Sequence, residues 1–392
     1  MSFFRIIALS RAPIAALMAV GVFWGAFSAL IPDIKASVGA SDQQFGLALI
    51  VTSVGGMCST YLVPRIGHAL GRITLPVLGA VLALAFFYPL LASNIYALGV
   101  AFFFIGPSVS MLDISANVRI SVLESRNKLH LMNFIHAMFS FAFAGSAFAA
   151  AMARKAGYGP SDVLPVMSLV CVGLVLLMWE SEAQYGPPML DEDEAPVGTK
   201  PPWTAIILTA TILFAAFLGE NATEAWSALH IERTLGGAVG EGGLGPATLG
   251  LVMGVARLFG QVAAQRFGEA TLIFWSAVLG VIGTMVISLA PTQFVVLAGV
   301  AVVGLGMAVV VPSVNSMLGR LVREDQRAHA ISRAWMFGYL LWATGLCVSR
   351  VVLQGERGKR ILFILPSVLF VVALVVAVMI PAILALAKQK RP

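Results

Sequence analysis

Apolar runs long enough to cross a bilayer recur along almost the whole chain, with little between one and the next. A hydrocarbon core ~30 Å thick needs a helix of about 20 mostly apolar residues. The pattern predicts twelve such helices, near 12–31, 44–64, 73–92, 95–118, 131–153, 163–179, 204–229, 247–266, 271–290, 294–318, 331–352 and 361–387. The runs at 73–92, 271–290 and 361–387 carry no charge. A soluble core helix of that length needs a polar face, so that class is excluded for them. Gly, Ser and Gln dilute the runs at 44–64 and 247–266.

The longest polar stretch, SEAQYGPPMLDEDEAPVGTKPPW, runs from Ser181 to Trp203 and divides the chain nearly in half. Its paired prolines and DEDE run resist a continuous helix, and it reads as a solvated spacer rather than a recognition tail. The expected fold is an all-α integral membrane protein. A six-helix bundle covers 1–180, an acidic Pro-rich cytoplasmic linker 181–203, and a second six-helix bundle 204–392. Arg5 and Arg11 precede a run long enough to span rather than to be cleaved, so the first helix is expected to stay.

Composition sharpens this picture. The 392 residues are 59% hydrophobic and 11% charged, too few charges to cover a soluble surface. The formal charge of +6 is spread over short connections without a basic cluster, which argues against a nucleic-acid partner. If the N-terminus is inside, the inner connections hold about twice as many Lys and Arg as the outer ones, so both termini are expected to be cytoplasmic. A cluster from Arg350 to Arg360 runs against that bias. Cys58, Cys171 and Cys347 lie in apolar runs without metal-ligand spacing and read as packing residues. No metal or cofactor is expected.

Against this apolar background a few polar groups stand out. FLGENATEAWSAL, residues 217–229, carries Glu220 and Glu224 one helical turn apart, beside Asn221 and Trp226. Charge in a span is costly and usually faces the bundle interior or a water-filled path. Two carboxylates a turn apart also repel, so a pair that exchanges a proton fits coupling to a gradient. A solvated Glu224 at the helix end is the alternative. Asp113 and Asn117 repeat the same spacing on the fourth span, as a cross-bundle pair, a solute contact or structural glue. Asn133 and His136 lie one turn apart on the fifth. His136 suits proton shuttling, and equally a neutral imidazole bonded to a carbonyl. Arg257 in the eighth span can neutralise either acid, attract an anionic solute, or snorkel to the interface.

The halves echo one another. VPRIG (Val63–Gly67) closes the second span and AQRFG (Ala264–Gly268) the eighth, and the stretches leading into the fifth and eleventh spans are also alike. Parallel repeats of this kind occur in alternating-access carriers. No HExxH, GxSxG or CxxC is present and the five His are scattered, so no catalytic residues are assigned and an enzyme is not expected. The absence of GxxxxGK followed by Ser or Thr argues against an ATP-driven pump, and the repeated halves favour a carrier over a channel.

Thr60-Tyr61-Leu62-Val63-Pro64-Arg65-Ile66-Gly67-His68-Ala69 resembles the loop motif of the major facilitator superfamily, keeping its Leu, its Arg and its second Gly. Thr60, Pro64 and His68 replace the first Gly, the Asp and an Arg, which departs from the usual charge relay at the inner gate. A finer resemblance is to the bacterial fucose permease-like and YbjJ-like branch. It rests on Gly106-x6-Asp113-x3-Asn117, Asn133-Phe-Ile-His136-Ala-Met-Phe139-Ser140, Glu220-x3-Glu224-Ala-Trp226-Ser227 and Gly304-x-Gly306-x5-Pro312. The resemblance implies a central cavity lined by residues drawn from Trp24, Ser28, Asp113, Asn117, Glu220, Asn221, Trp226, Ser313 and Asn315. Arg65 with Gly67, and their echo Arg266 with Gly268, are the expected gate residues. Together these readings imply a secondary active transporter in the bacterial inner membrane, working in lipid as a monomer. It would move a small polar organic solute with protons as a symporter, or else act as a proton-driven exporter or an uncoupled facilitator.

Overall fold

Helix α1 (Phe3–Ser37) runs past both ends of its expected span and carries Pro13 and Pro32 within it. The computed structural model to which it belongs describes residues 3–60, 62–127, 129, 131–180, 203–321 and 333–334. Gly39, at φ +61, turns the chain from α1 into α2 (Asp42–Thr60). There Ser41 and Gln44 close a reciprocal capping box: the Ser41 N–H donates to Gln44 Oε1 (2.9 Å) and the Gln44 N–H to Ser41 Oγ (3.2 Å). A short helix α3 (Val63–Leu70) leads to α4 (Thr74–Ala85), which tight turns flank on both sides. Asn94 Oδ1 then accepts from the Tyr96 and Ala97 N–H groups and caps α5 (Ile95–Asn127). Helices α6 (Met132–Lys155) and α7 (Pro160–Leu177) follow.

From residue 203 onward come α8 (Trp203–Leu229), a π-helical turn (His230–Thr234), α9 (Leu244–Phe267), α10 (Glu269–Leu289), α11 (Gln293–Met307) and α12 (Val310–Leu321). All regular structure among the described residues is helical. Eight helical segments among them are long and apolar enough to cross a membrane. The helix Asp42–Thr60, expected as a span, is not one of those eight. The linker up to residue 202 and the expected spans at 331–352 and 361–387 lie outside the described residues, save 333–334.

Two further departures from the expected spans each have a physical reason. The run expected at 294–318 is two helices, broken after Met307. Pro312 has no N–H to give the carbonyl of Ala308, so the ladder loses a rung there. The span expected to stop at 118 continues as helix to Asn127. Arg119, expected in a connection, is instead buried in α5, where its guanidinium grips the Glu180 carboxylate at 2.7–3.0 Å. Its charge is matched, so the helix need not end for it to reach water.

The chain divides into two compact units, residues 1–188 with 225–254, and 189–224 with 255–392. In the first, α1 lies along α6 and α2 along α5. Glycines set how closely these pairs approach. A Cβ built on Gly21 or Gly25 of α1 would collide with the carbonyl oxygen of Phe139 or Phe143. On the other seam, a Cβ on Gly55 would strike the Phe103 carbonyl oxygen, and one on Gly106 that of Thr52. Lipid tails are as apolar as the helices, so close backbone packing across small residues has to hold them together. Leu84, Phe104, Leu169 and Leu176 are exposed, as a lipid-facing surface requires. In the second unit, Gly283 and Gly299 bring α10 and α11 together in the same manner.

This packing sets a test with its own control. Gly25→Ala and Gly106→Ala push a methyl into carbonyl oxygens and are expected to destabilise the protein by about 1–3 kcal/mol. A Cβ on Gly145 meets nothing within 4 Å, and Gly145→Ala is expected to be neutral. Thermal unfolding of the purified proteins in detergent measures the difference. Equal midpoints for all three would contradict the seam.

Candidate functional site

In the first unit, polar residues of α5 and α6 meet directly. The Asn117 amide nitrogen donates to both the Asp113 carbonyl (2.9 Å) and its carboxylate (3.0 Å), and the amide oxygen lies 3.0 Å from His136 Nε2. The backbone carbonyl can only accept, so the amide turns its NH2 to Asp113 and its oxygen to the imidazole. That oxygen accepts, and His136 therefore presents an N–H at Nε2. One carboxylate, one amide and one imidazole thus form a bonded line across two helices. All three are half-buried, as is Asn133 a turn before His136. The Ser140 hydroxyl donates to the His136 carbonyl.

Trp24 is half-buried amid fully buried neighbours on α1, and Ser28 is buried. Trp226 also belongs to this unit. It is buried, with its ring edge 3.7 Å from a Cβ built on Gly46 of α2.

In the second unit, α8 and α9 bring three charges together. Arg257 lies with Nη2 at 3.8 Å from Glu220 Oε1 and also interacts electrostatically with Glu224. Both acids are half-buried and Arg257 is buried. The contact with Glu220 is an ion pair without the closeness of a hydrogen bond, and two carboxylates face one guanidinium. Asn221 donates its amide N–H to the Phe217 carbonyl of its own helix (2.8 Å). Asn315 lies on α12.

The residues expected to gate differ from one another in structure. Arg65 is exposed on α3, and a Cβ on Gly67 would meet nothing within 4 Å. Arg266 is exposed at the end of α9, with its guanidinium 5.7 Å from the Phe267 ring centre. Gly268, at φ +79, makes the turn into α10, a conformation that favours glycine. The two Arg-x-Gly echoes therefore share a sequence pattern but not a backbone: Gly67 is helical and Gly268 is a turn.

One group escaped the sequence reading. Arg154, at the end of α6, is buried between two carboxylates within the first unit. It donates through Nε and Nη2 to Asp33 of α1 (2.5 and 2.7 Å), and through Nη1 and Nη2 to Glu232 of the π turn, the Nη2 bond being 3.0 Å. Glu232 Oε1 also accepts from the backbone N–H groups of Gly240 (3.1 Å) and Gly242 (3.2 Å). Each of the three charges looks like an ordinary helix-end residue in sequence. Asp33 and Glu232 lie 121 and 78 positions from Arg154, a separation that no local pattern reveals.

A protein-family model described as the Major Facilitator Superfamily matches residues 209–392. Curated relatives extend the likeness into the first half. An uncharacterized transporter of Sinorhizobium fredii is 25% identical over 325 residues, covering 79% of this chain and 81% of its own. An uncharacterized MFS-type transporter of Yersinia pestis is 23% identical and covers 78% of each. Among solved structures, a D-xylose-proton symporter matches with a TM-score of 0.70 at 14% identity, over 95% of this chain and 97% of that one. A point mutant of the nucleoside transporter NupG matches with 0.69 at 13%, over 95% and 99%. At such identities these two carry the fold alone. The family match over residues 209–392 and the two transporter relatives support membership of the major facilitator superfamily, a group of multi-pass membrane transporters rather than enzymes, and the solved structures share the fold.

Proposed function

We propose that the chain is a proton-coupled symporter of a small polar organic solute, working by alternating access as a monomer in a bacterial inner membrane. The observation that carries this reading is the Glu220–Glu224–Arg257 group, two carboxylates sharing one guanidinium inside apolar helices. A matched buried pair carries no net charge that a proton could neutralise. An extra carboxylate leaves one negative charge without a full partner, which is expensive away from water. A proton is the smallest partner that relieves it, so Glu220 is the proton and solute site and Glu224 tunes it. Asn221 and Arg257 offer the solute hydrogen bonds. Trp24, Ser28, Trp226 and Asn315 keep the role of cavity wall that the sequence implies for them. The Asp113–Asn117–His136 line, with Asn133, supplies a further solute contact or proton step.

Several features support the finer parts of this reading. Amides and a Trp beside the acids, at Asn221, Asn117 and Trp226, fit a polar organic solute with an apolar part. The motifs around Gly106, Asn133, Glu220 and Gly304 support the fucose permease-like and YbjJ-like branch. Regular spacing of the apolar runs supports twelve helices in two bundles of six, joined by the acidic linker, with both termini cytoplasmic. Arg65 and Arg266, with Gly67 and Gly268 beside them, are the proposed inner-gate residues. Proton-driven export would use the same carboxylates, with solute and proton competing for Glu220.

Two measurements test the proposal. Accessibility tags at Ser2, Gly198 and Pro392 are expected to react only from the cytoplasmic side, and a periplasmic label at any of them overturns the topology. For coupling, a solute found by an unbiased screen in proteoliposomes is followed in wild type, Glu220→Gln and Glu224→Gln. Glu220→Gln is expected to exchange solute across the membrane yet lose accumulation driven by a pH gradient. Wild-type accumulation by folded Glu220→Gln at every pH would make these acids structural glue. Accumulation under the opposite gradient would assign export.

A further inference from the structure

We infer that Asp33, Arg154 and Glu232 form a releasable clasp between the tip joining α8 to α9 and helices α1 and α6, on the face that the proposed topology puts outside. It rests on the alternating-access reading but uses none of its solute or proton residues. Arg154 and Asp33 sit on α6 and α1, and Glu232 reaches Arg154 from the tip. The carboxylate of Glu232 is itself held by its own loop, through the N–H groups of Gly240 and Gly242. It therefore acts as a preformed hook, and the Arg154 fork is the eye.

The surface around the hook is built from very small residues. A Cβ on Gly240 would stand 2.5 Å from the Ala151 carbonyl oxygen and 2.9 Å from the Lys155 nitrogen. One on Gly243 would come within 2.7 Å of the Ala151 Cβ and 3.1 Å of the Ala29 Cβ. The tip thus lies flush on α6 and α1 with backbone against alanine. This decides what opening would cost. Separating large apolar side chains exposes surface at about 25 cal/mol per Å². At Gly240 and Gly243 separation exposes glycine and alanine, and it returns Glu232 and the face of Arg154 that holds it to water, while Asp33 is already a third exposed. For a buried ion pair the desolvation penalty largely offsets the Coulomb gain, so closed and open forms can lie close in energy. A contact meant to hold permanently would gain more from large apolar side chains, as the packing of Phe23, Phe86 and Phe102 illustrates.

A second, weaker tie lies beside it. Arg233 of the tip approaches Asp42 of α2 at 3.9 Å, both groups well exposed, and Asp42 also pairs with Lys35. Exposed pairs contribute little, so it guides closure rather than holding it.

Nitroxide labels at Ser37→Cys and Val239→Cys, both exposed positions, report the opening of the tip by double electron–electron resonance in lipid nanodiscs. The background replaces Cys58, Cys171 and Cys347. Glu232→Gln is expected to raise the ratio of long to short distances at least about tenfold, below the roughly hundredfold or more of a fully broken buried pair because Arg154 keeps Asp33. Asp33→Asn is expected to shift it far less, because Arg154 keeps its hold on Glu232. An unchanged distribution in Glu232→Gln overturns the clasp. So does equal opening by Asp33→Asn, which would make the trio a structural tie between α1 and α6. Should Glu232→Gln fail to fold, Arg154→Lys keeps the charge but loses the fork. A rise in long distances there supports the clasp, and no change overturns it. Any of these failures leaves the coupling test at Glu220 untouched, and failure at Glu220 leaves this distance measurement untouched.

Discussion

Charge taken out of water is the constraint on which the rest of this structure depends. Moving an ion into a low-dielectric interior costs several kcal/mol even after relaxation, and only close, well-oriented partners offset it. The described residues answer this cost in three ways. Arg119 and Glu180 meet through several short bonds. Arg154 serves two carboxylates, and backbone N–H groups supply further positive partners. Arg257 faces two carboxylates, the nearer at the looser distance of 3.8 Å. The three groups run from close to loose pairing, and the proposed clasp and exchange site are the second and third of them.

Packing follows a parallel rule. Where helices must stay together, glycine lets one backbone rest on the carbonyls of the next, and aromatic rings fill the space around it. Gly25 against Phe143, with Phe23 edge-on to Phe86, is the pattern within the first unit. Where the tip meets α6, the same closeness comes without rings: Gly240 and Gly243 lie on Ala151. One contact buries much apolar surface and the other little, so the two differ in what parting them would cost.

Much of this is legible in the chain, for reasons that also explain what is not. The apolar runs predict the helices because lipid demands long uninterrupted stretches whose backbone groups bond within the segment. Helix ends are the weak point, since charge satisfied by a distant partner lets a helix continue, as Glu180 does for Arg119 in α5. The break before Val310 is written in Pro312 but masked by the apolar run on either side. Glu220, Glu224 and Arg257 are visible because an ion in hydrocarbon sequence is conspicuous. Asp33, Arg154 and Glu232 are not, because ions at helix ends are ordinary and only the fold says which of them meet. Asn117 lies between these cases: its i, i+4 partner Asp113 is readable, whereas its bond to His136 on the next helix needs three dimensions.

The central claim is that the carboxylates beside Arg257 exchange a proton while the matched pairs do not. Infrared difference spectroscopy of the protein in lipid, taken between alkaline and acidic pH, reads this directly through the carbonyl stretch of a newly protonated carboxyl group. The account predicts such a band in wild type, its loss or displacement in Glu220→Gln, and its survival in the folded Asp33→Asn protein. A band that is the same in wild type and Glu220→Gln, with the variant folded, would contradict it.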